Sequence, residues 1–185
     1  DKTRVLLAAL LLSPHIPLLF MGEEFGETHP FLFFTDFHGE LAKAVREGRA
    51  KEFTGHAGHD ETVPDPNDVN TFIRSKLDWN KIATDEGKTW LRYTRHLLTL
   101  RHRYIVPLLH PGGAVEGHVL KTAPGMVAVS WRFPSGTLSL ALNIGTKPVD
   151  LPALAGETRF AWPELNDVLP PNGIVVRFAD GEASL

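Results

Sequence analysis

The sequence predicts an α/β part followed by an all-β part, with the change near residues 107–113. An apolar helical run followed closely by a short apolar strand is the order of elements typical of an α/β fold. A long amphipathic helix then ends this part of the chain. Beyond Pro111-Gly112-Gly113 the hydrophobic period changes from that of a helix to the alternation of strands. We therefore predict two domains, residues 1–108 and 109–185.

The first two predicted elements are a buried helix and a short strand. Residues 4–12 are apolar all round, which predicts a buried helix, and Pro14 and Pro17 end it. The run Pro17-Leu18-Leu19-Phe20-Met21 then favours a strand that is covered on both faces, as in a parallel sheet.

A longer mixed region follows the strand. Residues 27–37 form a loop rich in phenylalanine, residues 40–53 a polar surface helix, and residues 54–70 a loop of glycine, histidine, aspartate and proline. So long an irregular segment is usually functional or mobile.

The longest predicted helix begins at Thr84 or Asp85. Its apolar stripe consists of Trp90, Tyr93, Leu97, Leu100 and Tyr104. Four arginines, Arg92, Arg95, Arg101 and Arg103, lie off the stripe, and we predict that they form a solvated face rather than a phosphate site.

The final third reads as antiparallel strands. Residues 126–133 and 137–144 alternate, and Pro134-Ser135-Gly136 between them predicts a hairpin turn. Residues 174–178 form a further strand.

Composition excludes several classes of protein. The 185 residues are 43% hydrophobic, enough for a packed core, and the net charge of −3 offers no basic field to nucleic acid. The absence of cysteine excludes disulfides and fits a reducing compartment, so we expect a cytoplasmic protein. Prolines divide the amino-terminal apolar run, so we expect neither a signal peptide nor a membrane partner. Because the chain begins with Asp1 rather than Met, we expect a cut or processed chain.

Glu23 and Glu24, at the end of the predicted strand, are the first candidates for chemistry. Two carboxylic acids can perform general acid and base work on a glycosidic bond. Adjacent residues on an extended segment point to opposite sides, however, so at most one of them reaches a substrate.

No metal site is predicted. His56, His59, Asp60 and Glu61 lie in a glycine-rich loop with no helix to fix their geometry. The stretch Asp65-Pro66-Asn67-Asp68 lacks the glycine and the distal glutamate of a calcium loop.

Residues 13–26, with Pro17, Gly22 and Glu24 in a P-x-x-x-x-G-x-E pattern, resemble the eighth-strand segment of the α-amylase superfamily of glycoside hydrolases. Two further stretches narrow this resemblance to the malto-oligosyltrehalose trehalohydrolase family. They are residues 30–49, with Phe33-Phe34-Thr35-Asp36, and residues 64–79, with Ser75-Lys76-Leu77-Asp78-Trp79.

The resemblance implies the carboxyl-terminal end of a (β/α)8 TIM barrel followed by a small antiparallel β-sandwich. It implies cleavage, with retention of configuration, of the α-1,4-glucosidic bond next to the trehalose end of a malto-oligosyl-trehalose. The family's catalytic carboxylates follow earlier strands, and Gly58-His59-Asp60 is not equivalent to the family's N-H-D motif. We therefore expect the chain alone to be inactive.

The resemblance and the chemistry of the side chains suggest four substrate-binding residues: Glu24, Phe33, Phe34 and Asp36. Carboxylates accept hydrogen bonds from sugar hydroxyls, and aromatic faces stack on sugar rings, although core packing is the other interpretation for the two phenylalanines. The expected partners are an α-glucan, bound through the complete protein, and the preceding part of the barrel. No cofactor is implied.

Two alternatives remain open. The chain could belong to another enzyme of the superfamily, such as a glycogen-branching enzyme or an α-glucosidase. It could also be a non-catalytic glucan-binding or structural module, with Trp131 and Trp162 as stacking residues.

Overall fold

The computed structural model of the chain describes residues 2–53, 63–110, 116–165 and 168–181. The chain divides into two compact units, one formed by residues 1–19 and 92–185 and the other by residues 20–91. These units reflect contacts within the chain. They do not test the domain boundary at residues 108/109, which stays a prediction.

The helices lie mostly in the first two thirds of the chain. They are α1 (Lys2–Leu12), α2 (Gly39–Phe53), α3 (Val69–Arg74), α4 (Asp85–Leu100) and α5 (Val106–Leu109), with 3-10 turns at Glu23–Phe25 and Trp79–Ala83 and a π turn at Arg101–Ile105. The three predicted helices are confirmed. Thr84 caps α4, because its Oγ1 accepts a hydrogen bond from the N–H of Gly87 at 3.1 Å.

The strands lie in the last third. They are β1 (Glu116–Ala123), β2 (Met126–Phe133), β3 (Gly136–Asn143), β4 (Val149–Asp150), β5 (Glu157–Trp162), β6 (Val168–Leu169) and β7 (Gly173–Asp180). Five of them form an antiparallel sheet in the order β1-β2-β3-β7-β5, and β4 pairs with β6 in a ribbon. The predicted hairpin is confirmed, since Phe133 lies opposite Gly136 across the turn.

The sheet is covered on both faces. On one face, Leu138 and Val176 line a small apolar cavity together with Leu12 from α1. On the other face, Ala141 belongs to a buried cluster that includes Leu169 of the ribbon. Burying one leucine side chain in this way contributes about 1.5–3 kcal/mol, so the two layers hold α1 and the ribbon against the sheet.

The prediction that Arg101 lies on a solvated face is wrong. Its side chain is 7% exposed, and burial lowers the pKa of its guanidinium. One guanidinium nitrogen donates to the carbonyl oxygens of Leu11 at 2.9 Å and Ser13 at 2.6 Å, and the other donates to that of His15 at 2.8 Å. These carbonyls lie in the last turn of α1 and just after it, where backbone acceptors lack helical partners and a cation is favoured. Helical spacing could not reveal this distant acceptor group.

The predicted buried strand over residues 17–21 is also wrong for this structure. Residues 16–20 have no regular secondary structure, and Ile16 and Leu18 are 92% and 86% exposed. A strand needs a neighbour to receive its backbone hydrogen bonds, and no described residue pairs with this segment. The apolar pattern therefore specified what ought to be buried, but not the partner that would bury it.

Hydrogen bonds between loops organise the unit of residues 20–91. The Ser75 hydroxyl accepts from the N–H of Leu32 at 3.0 Å and lies 2.8 Å from the carbonyl oxygen of Thr71. The N–H of Thr35 donates to the carbonyl oxygen of Pro66 at 2.8 Å. These contacts fix the phenylalanine-rich loop against the segment that contains α3.

Candidate functional site

The site begins at a sharp turn after Met21. Gly22 has a φ of +88°, and a Cβ placed there would lie 2.6 Å from the Cβ of Glu27. Only glycine combines this backbone conformation with so close a neighbour. The next residues form the 3-10 turn Glu23–Phe25. The prediction that Glu23 and Glu24 lie at the end of an extended strand is therefore wrong.

The two adjacent glutamates have different surroundings. The Glu23 carboxylate accepts a hydrogen bond from the N–H of Phe20 at 2.8 Å and thereby closes the turn. Glu24 is half-buried and is engaged within the structure. With about three residues per turn, their side chains diverge by about 120°. That the pair cannot flank one bond stays a prediction, and its geometric basis is now a divergence within a turn rather than alternation along a strand.

Glu27, which was not among the residues predicted from the sequence, accepts four hydrogen bonds. Its Oε1 accepts from the N–H of Thr28 at 2.6 Å and from both the N–H and the Nδ1 of His29, at 2.9 and 3.0 Å. Its Oε2 accepts from the N–H of Asp78 at 2.6 Å. No local motif predicts the contact with Asp78, because that residue is 51 positions away along the chain.

The environment of Glu27 keeps it ionised. Burial alone would raise its pKa, but the hydrogen bonds from His29, Asp78 and Thr28 outweigh burial and lower the pKa to about 2. Its side chain is only 5% exposed. Glu27 therefore connects the loop to Asp78 as a permanent anion, and it is unsuited to donate a proton to a leaving group at neutral pH.

A cavity of about 210 Å³ opens beside this carboxylate. Phe20, Phe31 and Leu77 form its apolar wall, and the side chains of Glu23, Glu27 and His29 supply polar groups. The rings of Phe20 and Phe31 meet edge to face, with centroids 5.1 Å apart. The arrangement can receive a small ligand that has both apolar and hydroxyl-bearing surfaces.

The two predicted phenylalanines differ in how much surface they present. The Phe33 ring is exposed, and the Arg49 guanidinium lies 5.1 Å from its centroid. Phe34 is half-buried and packs edge to face against Phe31 and Phe72. Phe34 thus makes packing contacts with its neighbours, although both of these rings are exposed and do not belong to the core. Sugar contact stays a prediction for both residues.

The residues on both sides of Asp36 are fixed by hydrogen bonds, whereas the Asp36 side chain is exposed. Asn67 Oδ1 accepts from the Thr35 hydroxyl at 2.9 Å and from the N–H of Phe37 at 3.1 Å. The backbone on both sides of Asp36 is therefore fixed, while its carboxylate is exposed. Substrate contact by Asp36 also stays a prediction.

The other candidates from the sequence have the following positions. His56, His59, Asp60 and Glu61 lie outside the described residues. Across the described ranges, no three histidine or carboxylate side chains are grouped closely enough to hold a metal ion.

None of the described helices has the length and apolarity required to span a membrane.

Both tryptophans of the β-rich region have aromatic neighbours. The Trp131 ring meets His15 edge on, with centroids 6.3 Å apart. The Trp162 ring packs against Tyr93, and the Arg4 guanidinium lies 5.2 Å from its centroid. Burial raises the pKa of Tyr93 to about 12, and its hydroxyl donates to the carbonyl oxygen of Arg4 at 2.9 Å.

Comparisons with known proteins agree on one family. No family model matches the chain. The malto-oligosyltrehalose trehalohydrolase of Deinococcus radiodurans is 49% identical over 104 residues, which are 56% of this chain and 17% of that protein. The enzyme of the same name from Brevibacterium helvolum is 37% identical over 158 residues, covering 84% of this chain and 26% of that protein.

Two solved structures are similar to the chain over almost its whole length. A Salmonella typhimurium protein, described as a candidate alpha amylase, is 63% identical and aligns with a TM-score of 0.88 over 96% of this chain and 30% of its own. Trehalulose synthase from Pseudomonas mesoacidophila is 18% identical, with a TM-score of 0.60 over 96% of this chain and 38% of its own, which shows likeness of fold alone.

The chain spans about a quarter or less of the length of the curated relatives cited above. Seven curated relatives, 35–49% identical, carry the same enzyme name, and the solved structure that is 63% identical is described as a candidate alpha amylase. The chain therefore belongs, as a portion consistent with the carboxyl-terminal end, to the malto-oligosyltrehalose trehalohydrolase family of α-amylase-type glycoside hydrolases.

Proposed function

We propose that the chain is part of an enzyme that releases trehalose from malto-oligosyl-trehalose by hydrolysing the adjacent α-1,4-glucosidic bond. The observation that carries this proposal is the shared name of all seven curated relatives. The mechanism would be retaining, with one carboxylate as nucleophile and a second carboxylic acid as acid and base.

The proposed architecture is the closing end of a (β/α)8 barrel followed by a small β-sandwich. The exposed side chains of Ile16 and Leu18 would then contact the remaining part of the barrel. The five-stranded sheet with the β4–β6 ribbon on one face supports a sandwich beyond residue 112. The preceding part of the barrel is thus the expected protein partner.

In this proposal, the side chains of residues 23–36 contribute to substrate binding rather than to bond cleavage. Glu27 is held ionised with a pKa of about 2, and the Glu23 carboxylate closes a turn. Asp36 has the most suitable geometry for a sugar hydroxyl, because its flanks are fixed and its carboxylate is exposed. Glu24 and the exposed ring of Phe33 are further candidates at the same rim, and Phe34 supports it by packing.

Two proteins test the proposal. The first is the 185-residue chain alone, which we expect to release no trehalose from maltotriosyl-trehalose. The second is a chimera in which the chain replaces the matched 30% of the Salmonella typhimurium protein, and we expect it to release trehalose. Trehalose formed by the chain alone would refute the assignment of catalysis to other residues.

The chimera also addresses the rival enzymes. The Salmonella typhimurium relative is described as a candidate alpha amylase, which favours plain maltodextrins as the second candidate substrate. Equal cleavage of maltopentaose and maltotriosyl-trehalose would favour that alternative. A new α-1,6 branch in the products would instead favour a branching enzyme.

A further inference from the structure

The cavity beside Glu27 combines the features that recognise a single sugar ring. Its volume of about 210 Å³ lies below the range of about 300–1,000 Å³ that is typical of pockets for drug-sized ligands, which favours a ligand of about one ring. Phe20 and Phe31 present exposed apolar ring surface on one side. A sugar has both an apolar C–H face and a rim of hydroxyls, so a wall of this kind opposite polar groups fits it.

His29 is a polar group of the cavity with capacity left for a ligand. Its Nδ1 lies 3.0 Å from Glu27 Oε1, and that carboxylate is ionised and can only accept hydrogen bonds. The proton of a neutral His29 must therefore reside on Nδ1, which leaves Nε2 as an acceptor. His29 is 48% exposed and lines the cavity, whereas Glu27 is almost fully covered. Glu27 thus sets both the tautomer and the orientation of the imidazole.

We propose that this cavity is a glucosyl-binding subsite in which His29 Nε2 accepts a hydrogen bond from a sugar hydroxyl and Glu27 is the positioning residue. The proposal rests on the proposed function for the identity of the sugar as part of an α-glucan. The exposed side chains of Phe20 and Phe31 supply the surface for the apolar face of the ring. Neither His29 nor Glu27 was among the substrate-binding residues expected from the sequence.

His29→Asn isolates the contribution of Nε2. The asparagine amide nitrogen can replace Nδ1 as donor to Glu27, but no atom replaces Nε2. The chain provides a matched control in His118, whose Nε2 lies 3.2 Å from Glu116 Oε1, two residues away, with a similar side-chain exposure of 51%. His118→Gln keeps a donor to Glu116, and His118 does not line the cavity.

The test is a titration of the 185-residue chain with maltotriose and with trehalose, followed by NMR of the imidazole nitrogens. We expect the His29 Nε2 resonance to shift on binding and the His118 ring to remain unchanged. Losing one neutral hydrogen bond of about 0.5–1.5 kcal/mol should weaken binding about 2- to 13-fold in His29→Asn, with no change in His118→Gln. The thermal unfolding midpoints of both variants serve as a folding check.

The outcomes separate this inference from the proposed function. No shift of His29 up to about 50 mM sugar, or binding equal to wild type in a folded His29→Asn variant, would overturn the subsite, since 1 mM affinity already corresponds to about −4 kcal/mol. If the subsite binds maltotriose but the chimera fails to release trehalose, the glucosyl subsite is retained and only the trehalose-releasing activity is lost. Addition of both sugars to a Phe31→Ala variant provides a second measure, with weaker binding expected.

Discussion

The Glu27 carboxylate allows the sharpest test of how this loop is held together. We consider the substitution Glu27→Gln, which keeps the size of the side chain but removes its charge. The carboxylate accepts four hydrogen bonds, from Thr28, from both donors of His29, and from Asp78. The glutamine can accept with one oxygen only, so its NH₂ group must face donors that the carboxylate had satisfied.

The cost follows from these contacts. A hydrogen bond to a charged group contributes about 1.5–3 kcal/mol, and a covered donor left without an acceptor costs about 1–3 kcal/mol. Because part of this loop can relax toward water, we expect the free energy of unfolding to fall by about 2–4 kcal/mol. Urea unfolding at neutral pH measures this change, and Glu116→Gln is the control, because that carboxylate is 63% exposed. The control should change by about 0.5 kcal/mol or less.

The same carboxylate gives a pH dependence of known sign. Its folded pKa of about 2 lies below the ordinary value of 4.5, so its stabilising effect is complete above about pH 4.5 and disappears as the pH falls toward 2. The full shift corresponds to about 3 kcal/mol, which is the upper limit of this contribution. Glu27→Gln should lose this acid-dependent part. A glutamine variant with wild-type stability and a wild-type acid transition would refute the reasoning.

Three further predictions concern neighbouring structural features. Arg101→Met should lower the free energy of unfolding by about 2–4 kcal/mol, because three carbonyl acceptors lose a charged donor; wild-type urea stability would contradict this. Gly22→Ala should lower the thermal midpoint by about 4–8 °C or more, since its Cβ would meet that of Glu27 at a φ of +88°; an unchanged midpoint would show that the turn can rearrange. Asp36→Asn in the chimera should raise the KM for maltotriosyl-trehalose about 3- to 10-fold with an unchanged thermal midpoint, and unchanged kinetics would remove Asp36 from the site.

Local patterns in the sequence were sufficient for several of the regular elements. The stripe on α4 and the alternation of β2 and β3 depend on a residue's near neighbours, and both predictions are confirmed. The cap at Thr84 has the same local character. These elements were predictable because helical and strand periods are properties of short windows of sequence.

Contacts across long distances were not predictable in this way. Arg101 has a helical position typical of a solvated side chain, yet its acceptors lie in the last turn of α1 and just after it, about 90 residues earlier in the chain. Glu27 likewise depends on Asp78 and on the turn at Gly22. The exposed Ile16 and Leu18 illustrate the reverse case, since an apolar run shows a demand for burial without showing its partner.

The central proposal is that this chain is the carboxyl-terminal portion of an enzyme that recognises a trehalose end. The most direct measurement is the ratio of kcat/KM for maltotriosyl-trehalose to that for maltopentaose, determined on the chimera that carries residues 1–185. The account predicts a preference of at least about 100-fold, or about 2.7 kcal/mol, with trehalose as a product. A ratio near one, or cleavage of maltopentaose alone, would contradict it.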